Sequence, residues 1–399
     1  MITLKQARQQ LLDAVDVVKK IEQYSLDEAL GLVAARDYRS DISIPPQDNS
    51  AMDGFALAAA DSKGLASLAI TQRIPAGTMP TKLESGSAAR IFTGGVIPVG
   101  ADAVVIQENC EFDTHQVTLL KEVRKGDNVR PYGQDIAKGS KVVCRGQKLS
   151  AIDLSLLASI GVEKVDCYVP ITVAIFSTGD ELAEPGSALK AGQIYNSNRP
   201  LLKGLCRQLG FQVYDCGLVK DTLAATKQAL REAVKHADFI LSVGGVSVGE
   251  EDHVKPAVET LGRLELWKIQ MKPGKPVAFG FIEQIPFIGL PGNPVSSFIV
   301  FQLLAIAVLQ KRQGQNFKPL IEYPVISDFD KELGTREEYI RVKLHVDNNG
   351  NLRAERFKNL SSGVMSSLSW ADGLVRQDID TKIERGQSIM FLPLHEGVL

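Results

Sequence analysis

Apolar positions recur at helical spacing through the first twenty residues. Leu4, Ala7, Leu11, Leu12, Val15 and Val18 fall on one face, and Thr3 stands where a cap belongs, so a helix is predicted over 3–20. Ser25 followed by Glu28 predicts a second capped helix over 25–35. From Asp41 to Lys148 short apolar runs alternate with Gly, Pro and Asp. Residues 101–106 and 116–120 read as strands of a small β-rich domain. Helical spacing returns over 150–160 and stops at Gly161.

Beyond Ile171 strands and helices alternate. Strands are predicted over 171–176, 211–214, 239–243, 276–281 and 285–290, with helices over 198–209, 223–235 and 295–309. Alternation over roughly 140 residues predicts a parallel α/β domain. The chain ends in strand-like runs at 339–346, 352–357 and 388–392, a C-terminal β domain. The organisation read from pattern is therefore multidomain α/β and β. A discontinuous helical domain (1–40 with 140–170) carries an inserted β-rich domain (41–139), followed by the α/β domain (171–320) and the C-terminal β domain (321–399).

Length agrees, since 399 residues exceed what one core usually supports. A formal net charge of -2 gives no basic field for nucleic acid or an anionic membrane, so neither partner is expected. The start of the chain lacks an apolar signal core, and the apolar run 298–309 is too short to span a bilayer. Five cysteines without a Cys-x-x-Cys pair fit a reduced cytoplasmic protein, and five scattered histidines offer no zinc motif.

Three polar turns follow predicted strand ends: Ser177-Thr178-Gly179-Asp180-Glu181, the loop Gly244 to Gly249, and Pro291-Gly292-Asn293-Pro294. Ligands of α/β sheets bind beyond those ends, where glycines let backbone N–H groups approach an anion. One such loop is often only a tight connection; three together predict a phosphate or nucleotide site. Neither Gly-x-Gly-x-x-Gly nor a Walker Gly-Lys-Ser/Thr is present, which disfavours a Rossmann dehydrogenase and a P-loop NTPase. Asp180, Glu181, Asp221, Glu250, Glu251 and Asp252 lie near these turns and offer oxygen ligands for Mg²⁺; taken alone they would read as solvated carboxylates or caps. Lys272 and Lys275 flank a Pro-Gly turn and could hold an oxyanion. A second polar cluster, in the inserted domain, is formed by residues 44–55 with Asp53, by Thr93-Gly94-Gly95 and by Gly133 to Ile136 with Asp135.

Several motifs occur together in order. They are Asn49-Ser-Ala-Met-Asp-Gly54, Thr93-Gly94, residues 100–105, Gly133-x-Asp135-Ile136, Ser177 to Glu181, Asn196-Ser-Asn198, Gly244 to Gly249, residues 271–276 and residues 290–297. The set resembles the molybdopterin molybdenumtransferase family (MoeA and the gephyrin E domain) over essentially the whole chain. The resemblance implies a homodimer. Its cleft would lie between the α/β domain of one subunit and the inserted domain of the other.

It further implies insertion of molybdate into adenylylated molybdopterin (molybdopterin-AMP), with Mg²⁺-dependent release of AMP. The implied catalytic residues are Asp53, Thr93, Asp135, Glu181, Asp221 and Asp252. Asp180, Glu181, Asp221 and Asp252 would hold metal. Thr178, Gly179, Ser247, Gly249, Lys272, Lys275, Pro291, Pro294, Arg336, Arg341 and Ser366 would bind the cofactor substrate or molybdate. Implied partners are a molybdopterin adenylyltransferase and molybdoenzyme maturation proteins. The chain departs from the family pattern at Gln47, Gly95 and Asp372. The competing readings are the adenylyltransferase itself, which usually lacks both β domains, and a non-catalytic scaffold.

Overall fold

The computed structural model describes residues 1–245 and 253–394. The first helix runs Leu4–Ala14, ending earlier than its spacing predicts, because Val15 turns to extended backbone. Thr3 and Gln6 form the capping box. Buried Leu4, Ala7 and Leu11 join the core of the α/β domain.

The helix expected over 25–35 is absent. Ser25 donates from its backbone (3.2 Å) and its hydroxyl (2.7 Å) to Glu28, but the structure closes only separate turns at 26–28 and 30–31. Gly31 then takes φ +77°, which ends any helical course. Val33–Ala34 and Ile21–Ser25 instead pair on either side of the distant strand Lys164–Tyr168. Of residues 25–35, only Ser25 and Val33–Ala34 enter that three-stranded sheet, and turns fill most of the rest. The helix Ala151–Ser159 forms as expected, with Ser150 and Asp153 as its capping box.

The inserted domain hangs from a narrow neck. Tyr38–Arg39 pairs with Lys141–Val143, and the Ser40 N–H donates to the Ser140 carbonyl at 3.0 Å. Beyond the neck lies a six-stranded sheet in the order Ala103–Ile106, Gly54–Leu57, Ser87–Ile91, Ser67–Ile74, Gln116–Leu119, Cys110–Phe112. Phe55, Leu57, Val105 and Val117 fill one side of its core, and Ala56, Ile74, Ile91 and Val104 fill the other. That alternation is the period-2 pattern of strands buried on both faces.

The α/β sheet orders its strands Gln212–Val219, Thr172–Thr178, Phe239–Val243, Ile285–Leu290, Pro276–Ile282, Gly262–Lys268. The first four are parallel. Pro276–Ile282 runs antiparallel to both of its neighbours, so Gly262–Lys268 again runs with the first four, contrary to the wholly parallel sheet expected. A two-residue turn joins Pro276–Ile282 to Ile285–Leu290, and so short a link can only make a hairpin.

The helical course 294–312 passes through the core. It is long and apolar enough to cross a membrane by composition, but 72% of that window is buried inside the protein. A π turn at Phe301–Ala305 interrupts it, and Arg8 donates through Nε and Nη2 to the Leu303 carbonyl there (3.1 and 2.8 Å).

The C-terminal strands Glu337–Val346, Leu352–Arg356, Tyr323–Ser327, Ser388–Pro393 and Gly373–Gln377 close on themselves through a final pairing of Gly373–Gln377 with Glu337–Val346. Closure pairs each of these five strands on both sides over part of its length. Met271–Lys272 of the α/β domain adds to it, parallel to Glu337–Glu338.

Candidate active site

In the inserted domain, Thr93 donates from its backbone N–H and its hydroxyl to Asp53 Oδ1, both at 2.8 Å. Those two bonds, backbone first, with a smaller contribution from the Arg90 charge, hold the Asp53 carboxyl below its ordinary range. The turn bearing Asp53 is itself fixed. The Ser50 N–H reaches the Gly95 carbonyl and the Gly94 N–H reaches the Ser50 carbonyl, each at 2.8 Å. A Cβ on Gly54 would lie 1.9 Å from the Val105 carbonyl oxygen, so only glycine fits between those strands. Asp135 is exposed on a neighbouring turn, and its N–H donates to the Ile44 carbonyl at 2.9 Å.

Because the Asp53 pKa is depressed in the fold, the stability it contributes is present above the unfolded pKa and is lost as pH falls through the folded pKa. Thr93→Val removes the hydroxyl bond and keeps the backbone one. The acid limb of the pH–activity profile is expected to move to higher pH, and an unmoved limb would separate Asp53 from the rate.

In the α/β domain the three strand-end turns do converge. The Thr178 carbonyl lies 2.7 Å from where a Gly244 Cβ would stand, and the Thr178 hydroxyl 3.1 Å from that of Gly245. Asn198 Nδ2 donates to the Gly292 carbonyl at 2.7 Å, and a Gly292 Cβ would meet Gly244 Cα at 3.9 Å. Thr178 Oγ1 is buried without a hydrogen-bond partner among the described residues, a polar atom aimed at the loop cradle. Asp180 and Glu181 are exposed. The Glu181 carboxylate folds over Gly179, with Oε2 2.5 Å from a Cβ built there. Asp221 follows the edge strand and precedes the helix Leu223–His236, whose cap is Thr222 rather than Asp221. Ser247, Gly249 and Asp252, with Glu250 and Glu251, lie outside the described residues.

Among the described residues no three His, Cys, Asp or Glu side chains converge on one point. Asp180 and Glu181, on the first of these turns, are hard oxygen donors, as is Asp221 after the edge strand. They fit Mg²⁺, which keeps several waters and takes one or two carboxylates together with phosphate oxygens.

The remaining predicted residues form a seam between the α/β domain and the barrel. Lys272 pairs with Glu338 at 3.2 Å, and Lys331 joins the same buried carboxylate at 3.2 Å. Lys275 is exposed on that turn. Arg336 Nη1 donates to the Met271 carbonyl at 3.3 Å. Arg341 is 1% exposed, and its Nη2 donates to the carbonyls of Asn359 (3.1 Å) and Ser361 (3.2 Å). It thereby holds the loop whose Ser362 carbonyl accepts the Val295 N–H at 3.0 Å, just after Pro291 to Pro294. Ser366 faces a mostly apolar cavity of about 380 Å³ with Leu201, Leu205, Phe298 and Leu394. The Asp372 carboxylate accepts the Leu344 N–H at 2.7 Å, a bond within the barrel.

Sequence reasoning did not single out Arg90 or Gln107. Arg90 carried a signal: it is the one charged residue in the run Ala88-Ala89-Arg90-Ile91-Phe92.

Converging polar turns at parallel strand ends, with β domains on either side in sequence, define an anion-handling α/β protein built as a multidomain chain. Known proteins share this arrangement. In chain order, residues 2–161 match the MoeA N-terminal region (domains I and II), 174–311 a probable molybdopterin binding domain, and 329–394 the MoeA C-terminal region (domain IV). The molybdopterin molybdenumtransferase of Haemophilus influenzae is 41% identical over 317 residues, covering 79% of this chain and 78% of the relative. That of Nostoc is 32% identical over 397 residues, covering 96% and 91%. The crystal structure of the molybdopterin biosynthesis MoeA protein of Pyrococcus horikoshii superposes with a TM-score of 0.82 at 28% identity, over 98% of this chain and 100% of that one. The chain belongs to the MoeA family.

Proposed function

We propose that this protein is a molybdopterin molybdenumtransferase, the activity for which its curated relatives are named. The observation that carries the reading is the three-loop cradle around Thr178, Gly244 and Gly292, present in a chain that matches all three MoeA regions in order. The substrate is adenylylated molybdopterin. Molybdate enters beside the dithiolene, and hydrolysis of the pterin–AMP phosphoanhydride releases AMP and molybdenum cofactor. Bound Mg²⁺ would neutralise charge on the phosphates, held by Asp180, Glu181, Asp221 and Asp252. Backbone N–H groups of the glycine turns orient the adenylate. Lys272, Lys275 and Arg336 attract the oxyanion.

We assign the working unit as a homodimer with the cleft shared between subunits, as the family resemblance implies. The free cysteines fit a reducing cytoplasm. The test mixes purified protein with molybdopterin-AMP, Mg²⁺ and molybdate and follows AMP and active cofactor. Molybdate-dependent AMP release is expected, and its absence sinks the reading. Cofactor precursor made from molybdopterin and ATP would identify an adenylyltransferase instead.

A further inference from the structure

The geometry points to Arg90 as the positioning residue of the Asp53 site, holding that carboxylate in place through a closed circuit of hydrogen bonds inside a cage of phenylalanines. The activity readout for this role rests on the proposed function; the titration readout does not.

Arg90 lies directly across the sheet from Phe55. Its Nη1 donates to the Gly54 carbonyl at 3.3 Å and its Nη2 to Gln107 Oε1 at 2.6 Å. The Gln107 backbone N–H donates in turn to the Asp53 carbonyl at 3.1 Å. Asp53, Gly54, Arg90 and Gln107 therefore form a ring, and the Asp53 backbone cannot rotate without breaking one of its bonds. The guanidinium carbon sits 5.0, 4.9 and 5.1 Å from the ring centroids of Phe55, Phe92 and Phe112. Such contacts orient a planar cation and shield it from water. Phe92 immediately precedes Thr93, and Phe55 follows Asp53 by two residues, so the chain links the cage to both members of the Asp53–Thr93 pair.

The arrangement carries an electrostatic cost. Arg73 is Arg90's partner on the neighbouring strand and stacks on the same Phe92 ring at 4.6 Å. Like charges facing each other across strands are destabilising. An apolar side chain at position 90 would relieve that repulsion and pack against the three rings. That repulsion offsets part of what the ring contacts and hydrogen bonds contribute, and an apolar side chain would keep the ring packing; what it cannot supply is the forked donors that place the Asp53 turn. Its charge also adds to the Thr93 bonds in keeping Asp53 ionised.

The test compares wild-type protein with Arg90→Met, Arg90→Lys and Gln107→Leu. It measures the thermal midpoint, kcat and KM for molybdate, and the carbon-13 titration of the Asp53 carboxyl, assigned by its loss in Asp53→Asn. Arg90→Met is expected to leave the midpoint near wild type. Its kcat should fall about 10–100-fold, the scale of a misplaced catalytic group, with KM moving less. The Asp53 titration should shift upward. Arg90→Lys restores the charge and so the titration, but not the fork, and kcat stays reduced. Gln107→Leu opens the circuit and lowers kcat without moving the titration.

Wild-type kcat and an unmoved Asp53 titration in folded Arg90→Met overturn the inference. Should Arg90→Met fail to fold, wild-type kcat in folded Gln107→Leu overturns it equally. Should the wild-type protein release no AMP, the proposed reaction fails, and the titration alone decides the role of Arg90.

Discussion

Asp53→Ala and Asp221→Ala proteins, each inactive alone, are expected to recover about a quarter of wild-type activity when subunits are exchanged in equal amounts, since a shared two-fold site is restored only in the mixed dimer. Half of the dimers are then mixed. In each, one cleft carries both alanines and the other carries both carboxylates. The single variants should each lose about a hundredfold or more, the scale for removing a group that moves or orients a proton. The structural ground is the separation of the two clusters. Asp53 is tied to Thr93 on the inserted domain, while Asp221 lies at the carboxyl end of the α/β sheet. Activity appearing only on exchange, measured on mixed dimers purified through two tags, places them in one cleft. Purified mixed dimers that stay inactive would refute a shared site.

Gly54→Ala is expected to be the most damaging small substitution in the inserted domain. The new methyl would stand 1.9 Å from the Val105 carbonyl oxygen and 2.9 Å from its carbon, both main-chain atoms of the adjacent strand. No rotamer change relieves an overlap with backbone, so the pairing of Gly54–Leu57 with Ala103–Ile106 must open. A loss of about 3 kcal/mol or more follows from overpacking combined with broken ladder bonds. Gly204→Ala is the control. Gly204 is exposed in the middle of the helix Asn198–Gln208, and a Cβ there meets nothing within 4 Å. That change should stabilise by roughly 0.5–1 kcal/mol through helix propensity. Urea midpoints of the two variants decide the matter: equal midpoints would mean that the strands part at little cost.

Local signals in the sequence were read well where local chemistry decides the outcome. The helix over 151–159 and its stop at Gly161 follow from capping and glycine placement. The Ser25–Glu28 pair shows the limit of that reasoning. Its hydrogen bonds form, yet they serve a single turn, because the residues that bury Val33 and Ala34 come from Cys167 and Tyr168, far along the chain. The antiparallel edge of the α/β sheet was missed for a related reason. The apolar runs at 276–281 and 285–290 are visible, but strand direction lies in the two residues between them. The Asp53, Thr93 and Asp135 turns were legible from Gly, Pro and Asp density. The direct bond between Asp53 and Thr93 was not, since it spans 40 residues. The lysine turn hid the most. Its sequence shows two cations, and only packing reveals that Lys272 shares the buried Glu338 with Lys331.

The neck beneath the inserted domain limits how that domain can move. Arg39 and Gly139 are 100 residues apart in sequence yet joined by a 2.9 Å hydrogen bond, so the chain leaves and returns through one pair of adjacent strands. A body held by two neighbouring tethers can swing about their common base, but it cannot spin about its own axis or drift sideways without breaking them. Any displacement of the Asp53 turn is thereby confined to an arc, like the jaw of a pair of pliers, set at the rivet, and substitutions at residues 38–40 and 139–143 are expected to alter it.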